Sequence, residues 1–195
     1  MQATYSDVLR PVRGRGAAAY DLGVVFAGSA IIALSAQVSF RLPWSMVPIT
    51  GQTLGVLLTG ALLGSKLGLA AVAMYLLEGA FGLPVFAGAA SGTAYMLGPT
   101  GGYLAAFLPA AWLVGLLAQR GWDRSALTAV AAMLLGNAMI YAGGMAWLSL
   151  LIGPKAAVLT GLVPFVIGDV VKIVLAALTL PVGWKLLRKF AESES

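Results

Sequence analysis

"VPFVIGDVVKIVLAALTLPVGW", residues 163–184, is an apolar stretch long enough to cross a bilayer, and its only charged residues are Asp169 and Lys172. A charge at the centre of a membrane helix costs about 2.5–3.5 kcal/mol on insertion scales. Because the two residues are three positions apart, a helix places them on one face, where they can form an ion pair. The pair therefore predicts a functional site, and an ion pair that only helps to pack the helices is the alternative.

The composition of the whole chain indicates an integral membrane protein. Its 195 residues are 60% hydrophobic and 10% charged, whereas soluble domains carry roughly 25% charged residues. The chain has no Cys and no His, which excludes thiol nucleophiles, imidazole bases and the usual transition-metal ligands. "GALLGSK", residues 60–66, lacks the Gly-Lys order of a nucleotide-binding P-loop. We therefore expect no catalytic residue, no metal and no other cofactor.

The hydrophobic pattern predicts an all-α membrane protein with six transmembrane helices. These run over about 17–38, 50–64, 66–81, 102–118, 125–151 and 164–187. A cytoplasmic segment is expected at 1–16, the transmembrane domain at 17–187 and a cytoplasmic tail at 188–195.

The positive charges predict the orientation of these helices. With the amino terminus inside, only Arg41 and Lys155 lie outside, and Lys172 lies within the membrane. The other nine of the twelve Lys and Arg residues lie in cytoplasmic segments: Arg10, Arg13, Arg15, Lys66, Arg120, Arg124, Lys185, Arg188 and Lys189. This positive-inside bias predicts cytoplasmic termini in a multi-pass protein of a bacterial-type cytoplasmic membrane. The net charge of +5 then belongs to cytoplasmic loops, and no nucleic-acid partner is expected.

The predicted outer loops are unusually apolar. "GLPVFAGAASGTAYMLGPTGG", residues 82–102, has no charge and is rich in Gly. Irregular backbone at membrane depth is tolerated where it is buried in protein or lines a cavity, so this loop is expected to fold back onto the helices. Its Phe86 and Tyr95 are candidate walls of a binding pocket, and residues of the interfacial aromatic belt are the alternative.

Several polar residues are predicted to lie with the ion pair in the outer half of the membrane. They are Gln52, Glu78, Asn137 and Tyr141, which occupy three different predicted helices. Gln52 could instead cap a helix, Asn137 could bridge two helices, and Tyr141 could be a packing aromatic. Glu78 needs a partner, for which Lys172 or a ligand could serve. Together these groups suit a small amphipathic ligand with hydrogen-bond donors and an anionic group.

The first predicted helix carries rows of small residues. Ala19, Gly23 and Ala27 are spaced by four, and so are Ser29 and Ala33. Such rows allow helices to approach closely. They indicate either packing within the bundle or docking to a partner membrane protein.

Three segments make the chain resemble a known family. They are "VPITGQTLGVLLTGALLGSKLGLAAVAMYLLEGAFGLPVFAG" at 47–88, "LGPTGGYLAAF" at 97–107 and "GDVVK" at 168–172. These segments resemble the BioY family, the biotin-specific substrate-binding (S) components of energy-coupling factor (ECF) transporters.

The resemblance implies six helices that bind biotin from outside and release it inside. It implies assembly with a transmembrane coupling protein and two cytoplasmic ATPase subunits, with small residues of the first helix at the contact. It also implies that Asp169 and Lys172 touch biotin. We hypothesise that Asp169 accepts from the ureido N–H groups and that Lys172 meets another polar group of the ligand.

Rival interpretations stay open on the sequence alone. The same scaffold could bind another vitamin, such as riboflavin or thiamine. A channel would need a continuous polar path through the inner half of the membrane, and the predicted helices show none. A purely structural scaffold would bind no small molecule. The sequence does not decide between a monomer and a homo-oligomer.

Overall fold

A computed structural model describes residues 2–11 and 15–193, without the side chains of residue 15 and of 188–193. The predicted segments 1–16 and 188–195, which include Arg13, thus lie partly outside the described residues. The long helices are α2 (Arg15–Gln37), α3 (Gln52–Ala80), α5 (Gly101–Ala118), α6 (Ala126–Ile152) and α8 (Val166–Ser193). The short elements are α1 (Tyr5–Leu9), β1 (Ser39–Phe40), β2 (Ile49–Thr50), α4 (Thr93–Met96), α7 (Pro154–Gly161) and a 3-10 turn (Val163–Phe165).

The described residues contain five helical stretches that are long and apolar enough to cross a membrane. Their outer surface is apolar as well: Leu34, Leu127, Leu150 and Ile167 are each more than two-thirds exposed. An apolar surface of this extent is unfavourable in water and is expected for a protein that faces lipid.

The element α3 reverses direction at Gly64. This residue has φ 79° and ψ 179°, a backbone conformation that only glycine adopts readily. Beyond it the chain returns along itself, since a Cβ on Gly68 would lie 2.9 Å from the Cα of Gly60. Likewise, Gln52 donates a hydrogen bond to Tyr75, although a straight helix would separate them by about 35 Å. The predicted helices 50–64 and 66–81 therefore correspond to two antiparallel arms of α3, 52–63 and 65–80.

The helices pack in the order α2, α3, α5, α6 and α8, and α5 is the most deeply buried of them. Close contact between α3 and α5 depends on glycine. A Cβ on Gly60 would lie 2.5 Å from the carbonyl oxygen of Ala111 and 3.0 Å from its Cα. Such contacts between backbones allow van der Waals packing, which holds helices together where lipid removes the hydrophobic driving force.

The Gly64 turn, the loop 119–125 and α1 lie together at one end of the bundle, here called the basic end. The amide of Gln2 donates to the carbonyl of Gln119 at 2.7 Å. Trp184 Nε1 donates to Asp123 Oδ2 at 2.5 Å, and the Arg124 guanidinium lies 4.5 Å above the Trp184 ring. Burial raises the pKa of Asp123, and the hydrogen bond from Trp184 partly opposes this. Residues predicted to share one side of the membrane are thus held together by direct contacts.

At the opposite end the loops fold back onto the helices, as their composition predicts. Phe86 is fully buried, and Ser45 Oγ donates to the carbonyl of Thr160 at 2.7 Å, which joins two of these loops. The helix α7 was not predicted, and it occupies most of the third loop. The helix α8 continues to Ser193, so the described part of the predicted cytoplasmic tail is helical.

The close approach at Gly60 gives a stability prediction. Gly60→Ala should lower the free energy of unfolding by about 1–3 kcal/mol, because the new methyl group meets the backbone of α5, which cannot rotate away. Gly23→Ala is the matched control, since nothing lies within 4 Å of that position. Thermal unfolding in detergent, followed by circular dichroism, measures both. Equal melting temperatures for the two variants would contradict the packing described here.

Candidate functional site

A cavity, the central cavity, opens between α3, α5, α6 and α8 beside the loop that precedes α3. Its walls are mostly apolar, with Leu104, Phe107, Ile140 and Phe165 among them. Most of its polar lining comes from the start of α3, the middle of α6 and the start of α8: Gln52, Thr53, Asn137, Tyr141, Asp169 and Lys172. Ligand sites in proteins commonly combine apolar walls with a few convergent polar groups in this way.

The ion pair predicted on the last helix forms inside this cavity. Lys172 Nζ lies 2.9 Å from Asp169 Oδ1, and the two side chains are only 14% and 9% exposed. Lys172 also donates to Thr53 Oγ1 at 2.8 Å, which ties α8 to the start of α3. Asp169 lies in the first turn of α8, where the helix dipole favours a negative charge. The pair is therefore neutral overall and anchored at both ends.

Tyr141 is the second hydrogen-bond donor to the carboxylate of Asp169. Its hydroxyl donates to Asp169 Oδ2, so both oxygens of Asp169 accept a hydrogen bond from protein. Tyr141 lies one turn beyond Asn137 on α6, so the same helix face presents both residues to the cavity. The sequence predicted that these groups share one layer of the protein, and the structure places them around one space.

The side-chain oxygen of Asn137 accepts no hydrogen bond from the described residues. The residue is 6% exposed, and its side-chain oxygen is buried without a hydrogen-bond partner among the described residues. A buried polar atom without a partner costs about 1–3 kcal/mol. An acceptor of this kind, facing a cavity, is ready to receive a donor from a ligand.

Gln52 also lines the central cavity, but its amide is occupied. Its nitrogen donates to Tyr75, and its oxygen accepts from Thr50 Oγ1 at 3.1 Å. Gln52 is 6% exposed. It thereby joins the two arms of α3 at the cavity wall.

Glu78 lies outside the central cavity. Its carboxylate accepts a hydrogen bond from Ser29 Oγ at 2.5 Å, across the contact between α2 and α3. Neither Lys172 nor the cavity provides its partner. Ser29, considered above for partner docking, is fully buried in the same contact. The two residues therefore join helices inside the bundle.

The two loop aromatics occupy different positions. Phe86 is fully buried outside the central cavity, stacked on Tyr95 with ring centroids 5.2 Å apart and edge-on to Tyr75 at 5.5 Å. Tyr95 lines a neighbouring space, the second cavity, together with Arg41, Ser45 and Thr100. Phe86 thus supports the wall that Tyr95 presents.

The small residues of α2 divide between two faces. Ala19, Gly23 and Ala27 are exposed, and nothing lies within 4 Å of a Cβ built on Gly23. Ala33 packs against the core. Of the two rows, the first therefore leaves a surface that a partner could reach.

Sequence reasoning overlooked two residues that shape the site. Thr53 follows Gln52 and receives the hydrogen bond from Lys172. Tyr103 lines the central cavity and donates to the carbonyl of Gly161 at 2.8 Å, which holds the end of α7 in place. The signal near Tyr103 was the pair of glycines in "GPTGGY" at 98–103, since Gly101 and Gly102 begin α5 and allow its close approach to Trp147 on α6.

Comparisons with known proteins agree with this architecture. The model of the BioY family matches residues 8–189. The probable biotin transporter BioY of Pyrococcus horikoshii is 40% identical over 154 residues, covering 79% of this chain and 90% of the relative. The biotin transporter BioY of Thermotoga maritima is 41% identical over 151 residues, covering 77% and 87%. The crystal structure of an S-component for biotin from an ECF-type ABC transporter superposes with a TM-score of 0.77 at 27% identity, covering 89% of this chain and 95% of that one.

The ion pair gives a prediction that distinguishes the loss of a charged partner from the change in the buried side chain itself. Lys172→Met should lower the free energy of unfolding by about 3–5 kcal/mol, because it leaves a buried carboxylate without its cation. The double variant Asp169→Asn with Lys172→Met should recover much of this loss, since no charge then remains. Lys155→Met is the control, because Lys155 is an exposed cation on α7. Thermal unfolding of the three proteins in detergent tests this, and a double variant less stable than Lys172→Met would contradict it.

Proposed function

The chain belongs to the BioY family, and we propose that it is the biotin-binding component of an ECF-type vitamin uptake transporter. Its relatives are named biotin transporters, and its function is uptake rather than an enzymatic reaction. It is a multi-pass membrane protein. The observation that carries the proposal of a biotin site is the set of acceptors and the paired cation inside the central cavity.

The polar groups of the central cavity complement the ureido ring of biotin. That ring has two N–H donors and one carbonyl acceptor. Asp169 offers carboxylate oxygens, and Asn137 offers the amide oxygen that has no partner among the described residues. Lys172 has three donor hydrogens, of which two point to Asp169 and Thr53, so one is left for the ureido carbonyl. The apolar walls suit the remainder of the bicyclic ring.

The proposed topology has six membrane crossings, with each arm of α3 counted as one. The Gly64 turn then lies on the same side as the loop 119–125 and α1, which are in contact. Lys66, Arg120, Arg124 and Lys185 belong to this end, and the positive-inside rule assigns it to the cytoplasm. The central cavity lies near residue 52, at the other end of the first α3 arm. It therefore faces outward and can capture biotin from the exterior.

Uptake against a gradient requires an energy source that this chain does not provide, since its sequence has no P-loop. The proposed partners are a transmembrane coupling protein and two cytoplasmic ATPase subunits. The exposed row Ala19, Gly23 and Ala27 supports docking through α2, because small residues let a partner helix approach the backbone. The bound biotin is released inside when the assembled transporter moves this chain within the membrane.

The binding proposal is tested by equilibrium titration of labelled biotin onto the purified protein. The wild type should bind biotin saturably, and excess riboflavin should not displace it. Asn137→Leu should weaken binding about tenfold, because a ureido N–H then loses its acceptor. The melting temperature of this variant without ligand should not fall, since the replaced oxygen has no partner among the described residues. A folded wild type that binds no biotin would contradict the proposal, as would displacement by riboflavin.

The docking proposal is tested by uptake in cells that express the coupling protein and ATPases. Gly23→Leu should abolish most biotin uptake while leaving biotin binding unchanged, because the added side chain separates the two helices. Ala138→Leu is the matched control, an exposed small residue on α6 that should leave uptake intact. If Gly23→Leu transported as well as the wild type, this face of α2 would not be the contact.

A further inference from the structure

The second cavity, described above at Tyr95, adjoins the central cavity. The two spaces share Pro48 and Thr100 in their walls. Their chemistry differs, since the central cavity contains acceptors and an ion pair that is neutral overall, Asp169 with Lys172. In the second cavity, the guanidinium of Arg41 is the only charged group that the described residues contribute to the walls. A ligand that extends from one space into the other would meet acceptors at one end and a cation at the other.

The central cavity is a poor environment for the carboxylate of the ligand. The Lys172 charge is already neutralised by Asp169 at 2.9 Å. A second carboxylate there would face Asp169 and the oxygen of Asn137, and like charges repel strongly where water is excluded. A ligand with ureido and carboxylate ends should therefore place its ureido end against Asp169 and direct its carboxylate elsewhere.

Arg41 is positioned to receive that carboxylate. It makes no ion pair among the described side chains. Its Nη2 lies 3.5 Å from a Cβ built on Gly88, so the guanidinium lies against the loop that holds Phe86. Arg presents several N–H donors in a planar fork that matches both oxygens of a carboxylate. Such a pair adds orientation as well as binding energy.

The hydroxyl groups beside Arg41 differ in availability. Ser45 Oγ is occupied by the carbonyls of Val47 and Thr160. Thr100 and Tyr95 line the same space. The Tyr95 phenol is protonated and can donate, and burial raises its pKa further, although the neighbouring Thr100 and the charge of Arg41 act in the opposite direction. The surroundings of Arg41 thus offer donors rather than competing anions.

We propose that Arg41 binds the carboxylate of biotin in the second cavity, a proposal that rests on the biotin site proposed above. This contact makes the protein prefer the acid over neutral derivatives. The valerate chain then passes between Pro48 and Thr100. The ureido ring and the carboxylate are recognised in separate spaces, by groups that come from different parts of the chain. Arg41 is a specificity-determining residue in this arrangement.

The test compares biotin with biotinamide, in which a neutral amide replaces the carboxylate, on the purified wild type and on Arg41→Gln. The wild type should bind biotin about tenfold more tightly than biotinamide, the loss expected for one charge-assisted contact. Arg41→Gln should weaken biotin binding by the same factor, leave biotinamide binding unchanged and so remove the preference. Lys155→Gln, which removes the other predicted outer cation from a position that lines neither cavity, should bind both ligands as the wild type does.

The outcomes separate this proposal from the one on which it rests. If Arg41→Gln weakened the binding of biotin and of biotinamide equally, the proposal would be overturned, since Arg41 would then only support the loop. Unchanged biotin binding in Arg41→Gln would overturn it as well. A wild type that binds neither ligand would instead refute the biotin site itself, and the carboxylate contact would fall with it.

Discussion

The ion pair between Lys172 and Asp169 is the interaction on which the rest of the site depends. Two charges within an apolar helix are stable only if they meet each other and if further hydrogen bonds satisfy the remaining groups. Thr53 and Tyr141 supply those bonds from α3 and α6. The need to satisfy the pair therefore brings three helices together around one space. That space is the central cavity, which the ion pair lines.

The fold supports this arrangement by fixing where the helices begin. The reversal at Gly64 returns the chain along α3 and lets Gln52 meet Tyr75, so the start of α3 is held against its own second arm. The apolar loops cover the same end of the bundle, with Phe86 fully buried beneath Tyr95. At the basic end, Trp184 and Asp123 join the far end of α8 to the loop 119–125. Both ends of α8 are thus anchored while its charges face the cavity.

Much of the fold could be predicted from the sequence, because few backbone structures are stable within a lipid bilayer. Long apolar stretches predicted the helices, and the costly pair at 169 and 172 pointed to a group of polar side chains that line the central cavity in the structure. The contact of Ser29 with Glu78 could not be foreseen, because a hydroxyl and an acid on different helices carry no pattern that links them. Arg41 was predicted only as an outer loop charge, since its place beside a cavity depends on how the loops fold back. The helix α7 and the contacts of α1 depend on tertiary packing in the same way.

The central claim is that biotin occupies a cavity open to the exterior, and the absence of Cys from the chain makes this directly measurable. Thr100→Cys, at a position that lines both cavities, would be labelled on intact cells with a membrane-impermeant maleimide, with and without biotin. Lys66→Cys, at the Gly64 turn, is the control for sidedness. The thiol introduced at position 100 should react from outside and be protected by biotin, whereas the thiol at position 66 should react only after permeabilisation. Labelling at position 100 that biotin does not slow, or that needs permeabilised cells, would contradict the claim.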